Sequence, residues 1–121
     1  MKEAKEKLKV ARVDLDANFY NDSISRAYYA VLYAADAALA TKGFVAKSVE
    51  GTNSLFGYHF IKKGLVDAKF KGLVKRAKDA RVKADYNHKV KFNREDAEYW
   101  LGRAKEFVEA IDSSISGWLE G

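Results

Sequence analysis

Asp22–Ala40, DSISRAYYAVLYAADAALA, is the stretch whose reading decides the fold. It holds no Pro or Gly and is rich in Ala, as helices are. At about 100° per residue, Ile24, Ala27, Tyr28, Val31, Ala35 and Ala38 fall on one stripe. The other side carries Arg26, Tyr29, Tyr33 and Asp36, aromatic with one charge of each sign. A helix apolar on most sides is buried on most sides, which predicts the central helix of an all-α domain. Its alanines let neighbouring helices approach closely.

On the N-terminal side, Ala4, Leu8, Ala11 and Leu15 recur at helical spacing, predicting a surface helix from about Lys2 to Asn18. Asn18–Asn21 breaks it, and Asn21 or Asp22 can cap the central helix. Gly43 is the expected left-handed residue at that helix's end. A third helix over Thr52–Lys63 presents Leu55, Phe56, His59 and Phe60 on one side, and Gly64 closes it. His59 there reads as a hydrogen-bonded core histidine. Asp67 is expected to cap a fourth helix of about 20 residues, with the stripe Phe70, Leu73, Val74, Ala77, Ala80 and Ala84. Tyr86–Lys91 reads as a linking turn. Asn93 and Asp96 form an approximate capping box for the last helix, whose stripe runs from Ala97 to Ile115. The reading is an up-and-down bundle of about five helices, a single domain over residues 1–121.

The 121 residues include no Cys and no Pro. Disulfides, zinc–thiolate sites and cysteine nucleophiles are therefore excluded. No apolar run approaches the roughly 20 residues needed to span a bilayer, and MKEAKEKLKV lacks a signal-peptide core. A cytoplasmic protein with no membrane partner is expected. Net charge is +5, but Lys62–Arg94 carries twelve Lys and Arg against three Asp, a local +9. Such a concentration attracts polyanions, of which phosphate is the commonest; a solvated lysine-rich helix face is the plainer alternative.

Arg81 lies one turn beyond Ala77 and two beyond Val74, inside the apolar stripe of the fourth helix. An unpaired guanidinium is costly to bury, so Arg81 needs a partner or a watery cleft. Asp85 stands one turn on, and Tyr86 and His88 follow, giving RVKADYNH. Two readings stay open: an Arg81–Asp85 pair that pins the helix, or a site at the mouth of the basic segment. Arg26 can pair with Asp36 or with Asp85. Tyr29 and Tyr33 can form a dimer contact or stack a base.

Three stretches, SRAYYAVLYAADAAL, KGFVAKSVEGTNSLFGYHFIKKGL and ARVKADY, together resemble the small prokaryotic proteins built as one HEPN domain. The resemblance runs from about Leu8 to Ile111, with Ser25-Arg26-Ala27-Tyr28-Tyr29-Ala30 and Arg81-x-x-Ala84-Asp85-Tyr86 as its anchors. It implies a helical bundle that usually dimerises. Many members are metal-independent ribonucleases with an Arg-x4–6-His motif, and many are toxins held by a nucleotidyltransferase-type antitoxin. Arg81 and His88 match that spacing, which implies His88 as general acid or base and Arg81 as the phosphate holder, with Asp85 and Tyr86 orienting them. Arg26, Tyr29, Lys78 and Lys83 become the candidate nucleotide- or RNA-binding residues, and no metal or cofactor is implied. Two departures stand out. Val82 follows Arg81 where ribonuclease members usually carry a polar residue, and the branch this chain most resembles is marked by Arg-x-x-Ala-Asp-Tyr rather than by the histidine. A non-catalytic nucleotide- or nucleic-acid-binding module, or a dimeric adaptor for a nucleotidyltransferase partner, is the alternative.

Overall fold

A computed structural model describes residues 1–87 and 89–120. Among these residues five helices make the bundle: α1 (Lys2–Asp16), α2 (Tyr20–Ala40), α3 (Val49–Phe56), α4 (Leu73–Tyr86) and α5 (Arg94–Glu120). A π-helical turn, Gly57–Ile61, continues α3, and a 3-10 turn, Ala68–Phe70, precedes α4. No strand occurs among the described residues.

The middle position belongs to α2, which packs against α1, α3, α4 and α5. Every residue of the stripe read from the sequence is buried on it, and Ala30, Ala34 and Leu39 are buried as well. Small side chains on this helix let the others close around it. Aromatic rings then fill the space beyond them: Phe107 meets Phe56 and Phe70 edge-on at 5.3 Å, and Phe56 stacks on Phe60. Trp118 packs on Phe60 at 4.9 Å, so the end of α5 is joined to the core. Burying each such ring contributes about 1.5–3 kcal/mol. Inside the α1–α2 contact, the fully buried Ser23 hydroxyl donates to the Ala11 carbonyl at 2.8 Å.

Three local expectations are corrected. First, α2 starts at Tyr20 with no side-chain cap; Asn18 takes φ 68° and the chain folds back so that Phe19 N–H reaches the Asp14 carbonyl. Neither Asn21 nor Asp22 is a cap. Second, Asp67 caps only the 3-10 turn, accepting from Lys69 N–H, because Gly72 at φ 70° breaks the run. The fourth helix thus has 14 residues rather than about 20. Third, the half-buried His59 makes no hydrogen bond among the described residues; it stacks on Phe44 with centroids 4.3 Å apart. The Asn93–Asp96 capping box forms as read, with reciprocal bonds of 3.0 and 2.9 Å.

Candidate functional site

Packing of α4 against α2 brings Arg81 to Tyr29. The α4 stripe Leu73, Val74, Ala77 and Ala80 is buried, and Arg81 follows at its edge, its side chain 21 % exposed. Its Nη2 donates to the Tyr29 hydroxyl at 2.9 Å and to the Tyr86 hydroxyl at 3.3 Å. Its Nε lies 3.0 Å from Asp85 Oδ2, yet the N–H is not aligned for a hydrogen bond, so this contact is chiefly coulombic. The guanidinium carbon stands 5.4 Å from the Tyr29 ring centre, 5.1 Å from Tyr86 and 5.9 Å from Tyr28. Burial disfavours its charge, but Tyr29, Tyr86 and Asp85 outweigh that and hold its pKa above the ordinary guanidinium value. Arg81 is a fixed cation. Among the described residues, its Nη1 has no hydrogen-bond partner.

Asp85 is held from a second side. The buried Ser25 donates its hydroxyl to Asp85 Oδ2 at 3.1 Å, so the carboxylate bridges α2 and Arg81. Arg81 and Asp85 form the pair the sequence allowed; Arg26 does not join it. Asp36 instead accepts from Thr52 Oγ1 at 2.8 Å, and Asp85 is taken by Arg81 and Ser25. Arg26 is exposed, makes no ion pair among the described residues, and acts on Asp14 through space. Burial pushes the Asp36 carboxyl above its ordinary pKa, and the Thr52 hydroxyl offsets part of that.

The other candidates divide. Lys83 and Tyr86 line a shallow hollow of about 440 Å³ with Val82, Asn87 and Lys89. Lys78 is turned to α3, where it pairs with Glu50. Tyr33 lies 6.0 Å from Tyr29, ring centre to ring centre, which extends the aromatic face of α2. His88 lies outside the described residues. No cluster of three or more His, Asp or Glu that could hold a metal occurs among the described residues. No described helix is long and apolar enough to cross a membrane.

Asn21 is the residue the sequence hid. From the first turn of α2 its amide nitrogen donates to the carbonyls of Ala84 and Val90, at 3.0 and 3.3 Å, and its oxygen accepts from Phe92 N–H at 3.1 Å. One side chain thereby holds the end of α4 and the segment that leads into α5. An Asn beside a helix start reads as a cap, and nothing in the local pattern points across more than 60 residues.

The family described as HEPN domain matches residues 1–114. A protein of Methanocaldococcus jannaschii named as a candidate toxin is 31% identical over 112 residues, 93% of this chain and 83% of that one. A UPF0332 protein of Thermotoga maritima is 30% identical over 112 residues, 93% of this chain and 85% of its own. A second candidate toxin of Methanocaldococcus jannaschii is 29% identical over 108 residues, 89% and 74% of the two chains.

Proposed function

The chain belongs to the HEPN family, and from that premise we propose that it is the toxin-like member of a two-component system, cleaving RNA without a metal. In this reading it acts as a homodimer and a nucleotidyltransferase-type protein is its antitoxin. The two relatives named as candidate toxins support the toxin part.

The observation that carries the chemistry is Arg81, a half-buried cation clamped by Asp85, Tyr29 and Tyr86 with Nη1 left over among the described residues. A guanidinium fixed in advance needs little reorganisation as negative charge grows on a phosphoryl oxygen. Its Nη1 N–H groups are the donors for a non-bridging oxygen. His88 takes the proton of the ribose 2′-hydroxyl while that oxygen bonds to phosphorus. The bond to the 5′-oxygen breaks, and that oxygen leaves with the proton that His88 took up, so the imidazole ends neutral. The products are a 2′,3′-cyclic phosphate and a 5′-hydroxyl. Asp85 and Tyr86 orient Arg81. Lys83 and Arg26, both exposed, supply phosphate contacts, and Tyr29 offers its ring; Lys78 joins only by leaving Glu50.

The purified protein is incubated with total RNA in the presence of a chelator. Cleavage with cyclic-phosphate ends is expected, falling roughly 10²–10³-fold in Arg81→Ala. Equal cleavage by the variant rejects the site. A second reading, a nucleotide-binding module without turnover, is favoured by one contact: the Tyr86 hydroxyl, from the Arg-x-x-Ala-Asp-Tyr signature, accepts from Arg81 Nη2. It requires ATP to raise the melting temperature with no product formed.

A further inference from the structure

Away from Arg81, the loop that follows α2 meets the π-helical turn Gly57–Ile61, through Phe44 on His59 and Lys42 on Phe60. The turn closes through Lys62 N–H on the Gly57 carbonyl at 2.8 Å, and it sets two consecutive aromatic residues, Tyr58 and His59, beside each other. Single π-helical turns recur at functional sites because they re-aim side chains. Tyr58 is 52% exposed. It meets His59 edge-on at 4.9 Å, and His59 stacks on Phe44 with planes 29° apart. The result is a short row of rings at the surface.

Two cations lie over the outer ring of that row, and a third lies over the neighbouring buried Phe60. The ammonium groups of Lys62 and Lys63 lie 5.3 and 5.2 Å from the Tyr58 ring centre, and that of Lys42 lies 5.4 Å from the Phe60 ring. Between Thr41 and Gly64 the one acid is Glu50, and Lys78 takes it. Among the described residues, none of Lys42, Lys62 and Lys63 makes an ion pair. An exposed lysine over a ring gains about 0.5–1 kcal/mol, so an incoming phosphate draws it away at little cost. Burial, followed by the charges of Lys63 and Lys42, holds the His59 pKa below its ordinary value, and near neutral pH the imidazole acts as one more uncharged ring.

We propose that Tyr58, His59, Lys42, Lys62 and Lys63 form a contact for single-stranded RNA, separate from Arg81. Bare bases stack on the rings and the phosphates between them recruit the lysines. Double-stranded RNA hides its base faces and an isolated phosphate has none, so neither uses both halves of the surface. The contact needs no catalysis at Arg81.

The test is fluorescence anisotropy with a fluorescein-labelled oligouridylate of about twelve nucleotides, in an Arg81→Ala background so that cleavage at Arg81 plays no part. Tyr58→Ala should weaken binding roughly 5- to 100-fold, and Tyr58→Phe should restore it. Lys62→Glu with Lys63→Glu should weaken it at least about tenfold and flatten the log–log salt slope by about 1.4. The charge-matched pair Lys9→Glu with Lys105→Glu, on the α1–α5 groove, should cost far less. On the unaltered fold, amide shifts on adding the oligonucleotide should centre on Tyr58–Lys63. The proposal fails if Tyr58→Ala binds like its parent, if the groove pair costs as much, or if the shifts lie elsewhere. It fails equally if anionic vesicles of phosphatidylserine and phosphatidylcholine bind while the oligonucleotide does not.

Discussion

At Arg81 a guanidinium lies over three tyrosine rings and also holds a carboxylate and two phenol oxygens; at Tyr58 two ammonium groups share one ring and, among the described residues, hold no acid. Burial accounts for the difference. The Arg81 side chain is largely withdrawn from water, and a cation there must be paired or it destabilises the fold. Lys62 and Lys63 are exposed, remain hydrated, and need no partner. One region therefore has its geometry set before any ligand arrives, whereas the other is free to rearrange around one. Fixed donors suit charge that develops in a transition state, and mobile lysines suit tolerant backbone binding.

If the Arg81 region is the rigid one, its stability should depend most on what fixes it. Asn21→Ala removes three hydrogen bonds between α2 and the segment joining α4 to α5. At about 1 kcal/mol each, the loss should be roughly 2–3 kcal/mol in urea unfolding, with faster exchange of the Phe92 amide. Asn21→Asp keeps the acceptor for Phe92 and should fall between. A loss below about 0.5 kcal/mol would mean that helix packing alone sets this end of the bundle.

Asp85→Ala acts on the clamp itself and should cost less. A fully buried ion pair broken on one side costs about 3–5 kcal/mol, but these side chains are 21 and 25% exposed. Water and the two tyrosine hydroxyls can still serve Arg81, so about 1–2 kcal/mol is expected, read by the same unfolding curve. Ser25 loses its acceptor in the same variant. No measurable loss would show that the phenols suffice to hold the guanidinium, and the contrast with Tyr58 would narrow to one of exposure.

How far the sequence carried depends on how local the cause is. The α2 stripe and the Asn93–Asp96 box were legible because each is written within a few turns of one helix. Arg81 could be singled out, and Asp85 given as its partner, because both stand on α4 one turn apart. Tyr29 as the hydroxyl that receives Arg81, Ser25 as the donor to Asp85, and Asn21 as the brace were not legible, since each depends on how α2 and α4 are turned against each other. The 20-residue fourth helix failed for a local reason: its apolar spacing runs through Gly72, and spacing says nothing of a residue at φ 70°.

The smallest expected effect is at the other end of the comparison, and its smallness is the point. Lys62→Ala with Lys63→Ala removes two ammonium groups from the Tyr58 ring. Both side chains are exposed and neither makes an ion pair among the described residues. Their attraction to the ring is worth about 0.5–1 kcal/mol at most, and mutual repulsion of two neighbouring cations over one ring works against it. Alanine is also a better helix former than lysine at the end of the turn. Unfolding free energy should therefore stay within about 0.5 kcal/mol of the parent. A loss of about 1 kcal/mol or more would show that these lysines help hold the fold together, as Arg81 does. Were the fold unmoved while oligonucleotide binding fell, the lysines would be held in place by nothing but the ligand they meet.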